Sequence, residues 1–121
     1  MAMKKKNVLV CDDNAKMRSG LKMILEDHFN LSLLDDGNQI LDVVQKDNIE
    51  LVLLDNNLKT TTGLDLIKGI KLKYPLVRII ILTAYRDDDL RPKAMAIGAD
   101  ELFVKPFNSL ELIGAIQKLL S

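Results

Sequence analysis

The chain has no tryptophan, a single cysteine and three prolines, and only 4% of its 121 residues are aromatic. One cysteine cannot close an internal disulfide, so a packed core rather than covalent staples has to hold the fold. Cys11 follows Val8, Leu9 and Val10 and reads as a small buried hydrophobe in a reduced, cytoplasmic protein. An excess of one charge sign is missing too: Lys plus Arg and Asp plus Glu each number 17, for a formal net charge of zero. That balance offers no broad cationic face to a phosphate backbone, so direct nucleic-acid binding is not expected. Long apolar runs are also absent. The one behind Met1–Lys6 stops at Asp12, far short of the ~20 residues of a membrane span and too short for a signal peptide, so no membrane partner is expected.

What remains is an ordinary globular mixture, 48% hydrophobic and 28% charged, sized for one domain over residues 1–121. Short β-rich apolar runs alternate with longer amphipathic stretches. A strand over Asn7–Cys11 precedes a helix from Asn14 to about His28, with Met17, Leu21, Ile24 and Leu25 at helical spacing. Leu31–Leu34 is a second, weaker strand, and Gly37 leads into a helix carrying Ile40, Leu41, Val43 and Val44. Ile49–Leu54 is a continuous apolar run ending at Asp55, as for a central parallel strand buried on both faces.

After the loop 56–62, a third helix runs from Gly63 to about Tyr74 and is stopped by Pro75. Val77–Leu82 is the fourth strand. Asp87, Asp88 and Asp89 offer carboxylates to the start of a fourth helix that reaches Ile97 and stops at Gly98. Leu102–Val104 is the fifth strand, and Asn108 or Ser109 caps a last helix. Five strand–helix units with right-handed crossovers predict an α/β fold: a three-layer, doubly wound, five-stranded parallel sheet.

The residues that follow each strand carry the chemistry. Asp12 and Asp13 follow the first strand, Asp55 the third, Thr83 the fourth, and Lys105-Pro106 the fifth. Taken singly, an Asp after a strand is a turn former or a helix cap, Thr83 a β-branched strand residue, and Lys105 a solvated charge. Together they converge, because open α/β sheets bind ligands outside the carboxyl ends of their strands. Three clustered carboxylates repel and force a proton onto one of them unless a cation intervenes. An all-oxygen, negatively charged donor set suits Mg2+. A carboxylate beside such an ion, with an ammonium and a hydroxyl nearby, has the parts for phosphoryl transfer onto Asp55.

These residues give the chain a resemblance, over essentially its whole length, to the receiver domain of bacterial two-component response regulators. The carriers are Asp12-Asp13, Asp55 with Gly63 eight residues on, Thr83-Ala84, Gly98-Ala99-Asp100 and Lys105-Pro106-Phe107. The resemblance implies a flavodoxin-like sheet of order 2-1-3-4-5 and an Asp55 that accepts phosphate from a histidine kinase or phosphotransfer protein. It further implies Mg2+ held directly by Asp13, Asp55 and the backbone carbonyl of Asn57, with Asp12 acting through water. Lys105 and Thr83 would then bond phosphoryl oxygens, Ala84 would leave them room, and the Lys105–Pro106 bond would be cis. The chain would signal to a downstream protein or to an output domain of a longer regulator, acting enzymatically only on its own phosphoryl group.

Three departures stand out. Leu58-Lys59 replaces the family's usual Met-Pro, which is expected to relax the acceptor loop. Thr62 replaces the acidic or small residue before the Gly, and Leu102 stands where an aromatic switch residue is common. Two other classes compete. A Mg2+-dependent phosphohydrolase with an aspartyl-phosphate intermediate needs an acid two residues after its nucleophile, where Asn57 stands. A flavin mononucleotide binder needs a phosphate-cradling loop where Asp12 and Asp13 would repel the phosphate. The lone His28 reads as a surface residue near the end of the first helix.

Overall fold

The computed structural model describes residues 4–58, 61–84 and 89–121. Its elements alternate as the apolar runs do: β1 (Asn7–Cys11), α1 (Ala15–Leu25), β2 (Asn30–Leu34), a 3-10 turn (Gly37–Gln39) leading into α2 (Ile40–Lys46), β3 (Leu51–Asp55), α3 (Gly63–Lys73), β4 (Arg78–Thr83), α4 (Leu90–Ala96), β5 (Glu101–Val104) and α5 (Ser109–Leu119). All pairings are parallel and the strand order is β2-β1-β3-β4-β5. β3 is buried along its whole length, and β1 and β4 at all but their first residue, whereas the edge strands β2 and β5 are largely half-exposed.

Side chains alternate across each central strand and so build two cores. Leu9, Cys11, Val52, Leu54, Ile79 and Ile81 meet α2, α3 and α4 through Ile40, Val44, Ile67, Ile70 and Ala94. Val8, Val10, Leu51, Leu53, Ile80 and Leu82 meet α1 and α5 through Leu21, Leu25, Leu112 and Ile116 on the other face. Leu102 packs against the first core and Phe103 against the second, as alternation along β5 requires.

Helix ends follow local chemistry. Asn14, Thr62 and Asn108 cap α1, α3 and α5, each accepting the backbone N–H three residues on. α1 stops at Leu25 rather than near His28. The next residues turn so that Phe29 enters the core, its N–H donating to Leu25 O at 3.0 Å, and His28 is left exposed. Gly98, at φ +120°, ends α4, a conformation that side chains disfavour. Asp87 and Asp88 lie outside the described residues. Because the strands are parallel, all five helices return in the opposite sense and their C-termini share one edge of the molecule. Each carries lysine in its last turn (Lys22, Lys46, Lys71 and Lys73, Lys93, Lys118), matching the negative end of the helix dipole.

Candidate phosphoacceptor site

At the opposite edge, Asp12 directly follows β1, Asp55 ends the adjacent β3, and Lys105 directly follows β5. One carboxylate oxygen from each of Asp12, Asp13 and Asp55 lies within 4.8 Å of the others. Asp12 and Asp55 are buried, and Asp13 opens the cluster to solvent. Lys105 Nζ reaches in to 3.3 Å from Asp12 Oδ2 and 3.6 Å from Asp55 Oδ1. Among the described residues this ammonium pairs with two of the three carboxylates and leaves Asp13 without an ion pair, so the cluster keeps a net negative charge.

That shortage appears in the acidity of Asp55. Burial, and next the Asp12 charge, push its carboxyl above the ordinary aspartate value, with Asp13 adding to the push. Lys105 and the Asn57 N–H, which donates to Asp55 Oδ1 at 3.3 Å, pull the other way without cancelling it. Hard oxygen donors in a negatively charged group fit Mg2+. Cys11, immediately behind, is fully buried, and burial with the neighbouring aspartates pushes its thiol up to about 12.

Asp12 is held on two sides. Its Oδ1 accepts the Asn14 N–H at 2.9 Å, and its backbone carbonyl accepts from Arg18 Nη1 at 2.7 Å. Arg18 was not singled out from the sequence; the usable signal is an arginine on the first turns of a helix that starts just behind an acidic pair. Thr83 is fully buried at the end of β4, one residue past the Asp55–Leu82 register pair, and the Lys105 N–H donates to its carbonyl at 2.7 Å. Ala84 is exposed beside it, and the Lys105–Pro106 peptide is cis.

The loop after Asp55 is tied at its described ends. Asn57 and Thr62 form an antiparallel bridge, the Gly63 N–H donates to Asn56 O at 3.0 Å, and Leu58 is buried. Lys59 lies outside the described residues. Asp100, from the Gly98-Ala99-Asp100 segment, stands apart from the cluster. It accepts the Ile79 N–H at 2.9 Å and pairs with Arg78 and Lys71 at the lysine-rich edge.

Comparisons with known proteins converge on one family. The family profile described as response regulator receiver domain matches residues 8–117. Transcriptional regulatory protein CpxR of Escherichia coli is 35% identical over 114 residues, which are 93% of this chain and 48% of CpxR. The chain therefore spans about half the length of that relative. Sporulation initiation phosphotransferase F of Bacillus subtilis is 32% identical over 123 residues, covering 98% of this chain and 96% of the relative. Among solved structures, chemotaxis protein CheY4 of Vibrio cholerae is 26% identical with a TM-score of 0.88, covering 95% of this chain and 98% of that one.

Proposed function

This chain belongs to the response regulator receiver domain family of two-component systems, and from that premise we propose that Asp55 is its phosphoacceptor. The supporting observation is Lys105 Nζ held between Asp12 and Asp55 beside a three-carboxylate cluster. An Asp55 carboxylate oxygen attacks the phosphorus of a phosphohistidine. The P–O bond forms as the P–N bond breaks, and the leaving imidazole keeps the electron pair. Asp13, Asp55 and the Asn57 backbone carbonyl would hold Mg2+ directly and Asp12 through water, and the bound ion would supply neutralisation of charge on the phosphoryl oxygens. Lys105 pairs with one of those oxygens and the Thr83 hydroxyl with another, while the small Ala84 leaves them room. Beyond its own phosphorylation and dephosphorylation the domain turns over no substrate. The phosphohydrolase alternative is not favoured, since Asn57 cannot protonate a leaving group.

The phosphoryl donor is a histidine kinase or phosphotransfer protein, and the switched state is read by a downstream protein or by an output domain of a longer regulator. No helix among the described residues is long and apolar enough to cross a membrane. A cytoplasmic setting fits the buried free thiol of Cys11. The test is incubation with Mg2+ and acetyl phosphate followed by intact-mass analysis. The parent should gain one phosphoryl group and Asp55→Asn none; an undiminished adduct in Asp55→Asn overturns the assignment.

A further inference from the structure

Gly37 opens the 3-10 turn after β2, and its Cα faces the loop that follows Asp55. A Cβ placed there would stand 2.8 Å from Leu66 Cδ1, 3.1 Å from Thr61 Cγ2 and 3.2 Å from Leu58 Cδ1. Its backbone is not in the left-handed region, which Gly98 alone of the glycines occupies. The demand for glycine at 37 is therefore one of space, not of dihedral angle. Two of the three atoms that claim this space belong to the acceptor loop.

Leu58 and Thr61 lie just inside the Asn57–Thr62 bridge, and Leu58 is buried in the core beneath α2 and α3. The loop thus inserts two side chains where residue 37 has none. We propose that Gly37 is a positioning residue for the phosphoacceptor site: by leaving a seat for Leu58 and Thr61 it fixes Asn57, the adjoining residue, relative to Asp55. The inference rests on the reading that the Asn57 carbonyl joins the carboxylates in holding Mg2+.

The three contacts differ in what yields. Leu66 Cδ1 is the free end of a flexible side chain and borders a groove of about 190 Å³ between α2 and α3, lined also by Ile40, Leu41 and Ile70. It can swing aside at little expense to the fold. Leu58 has no such freedom, because it is packed in the core and its backbone continues directly into Asn57, and half-buried Thr61 has only a short β-branched side chain with which to move aside. A methyl group at 37 therefore leaves the fold standing and displaces the loop.

The experiment uses the full chain. In Gly37→Ala, calorimetric titration should show Mg2+ affinity reduced by about tenfold, the scale on which supporting residues act on metal sites, with the metal-free urea midpoint no more than slightly below the parent's. Amide exchange should quicken at Asn57 and Gly63 but not in β1 or β4. Adding Thr61→Ser to Gly37→Ala removes one contacting methyl and should recover part of both losses. Should the Leu66 contact unfold the single variant, Gly37→Ala in a Leu66→Ala background retains only the two loop contacts and is read in the same way. Parent-like affinity and parent-like exchange in a folded variant overturn the proposal. If the parent itself binds no Mg2+, the metal reading fails, and exchange at Asn57 and Gly63 alone decides the role of Gly37.

Discussion

Replacing Asp55 by Asn should make the metal-free protein more stable, although it removes the proposed phosphoacceptor. The Asp55 carboxyl is held above its ordinary value by burial and by Asp12, so the folded state resists its ionisation. Where the folded state binds more protons than the unfolded chain, stability falls as pH rises. The penalty is absent below the unfolded value of about 4, grows as pH climbs through the raised folded value, and is complete above it.

The repulsive part of its size follows from the spacings, and burial, the larger cause, adds to it. Two unit charges at the 4.8 Å limit of the cluster repel by about 3.5 kcal/mol at an effective dielectric of 20. Lys105, at 3.6 Å from Asp55, offsets one such neighbour but not both. With the cluster open to water through Asp13, screening leaves a net repulsion of about 1 kcal/mol. Asp55→Asn should therefore gain about 1 kcal/mol, or about 4 °C in Tm, at pH 7 in EDTA. The assay is urea unfolding followed by circular dichroism at several pH values between 4 and 7, without metal and then with Mg2+. Mg2+ should reverse the order, since a cation at 100 times its Kd stabilises the parent by about 2.7 kcal/mol. An Asn variant less stable than the parent at pH 7 without metal, or an advantage that does not grow with pH, would refute the reasoning.

Mg2+ should raise the denaturation midpoint of the parent and much less that of Asp13→Ala; equal rises would remove Asp13 from the ligand set. Tyr74→Phe should be neutral or stabilising in thermal melts, because the Tyr74 hydroxyl oxygen is buried with no hydrogen-bond partner among the described residues. Asp100→Ala should cost about 2 kcal/mol in urea unfolding, since it strands the Ile79 N–H and breaks the pairs with Arg78 and Lys71. Native Cys11 should resist alkylation at pH 7.5 and react only on unfolding, given complete burial and a thiol pushed up to about 12.

The repeat of strand and helix was legible because both faces of β1, β3 and β4 are covered, which demands unbroken apolar runs. β2 gave a fainter signal for the converse reason: as an edge strand with two exposed residues, it needs few apolar side chains. The site residues were legible because a parallel sheet delivers every strand end to one edge, so that Asp12, Asp13, Asp55 and Lys105 converge by topology alone. Arg18 escaped because it acts on a backbone carbonyl rather than on a complementary charge. The seat at Gly37 escaped as well, because it joins segments about twenty residues apart by shape, and no periodicity records a missing side chain. The end of α1 was misplaced by the periodic pattern, since the turn that returns Phe29 to the core depends on tertiary packing.

The lysines that close the five helices have an effect reaching past the domain's own surface. They gather at the edge remote from Asp12, Asp13 and Asp55, where Glu50 and Asp100 pair with only some of the cations, so a formal net charge of zero still leaves charge unevenly shared between the two edges. Near its isoelectric point of about 6.6 such a molecule scarcely migrates in an electric field, yet it turns to align with one. A cationic protein surface approaching within a Debye length, about 8 Å at physiological salt, exerts that torque and meets the carboxylate edge first. Added salt then slows encounter by erasing this rotation, while the contacts that hold a docked complex together, and hence its rate of separation, are much less affected.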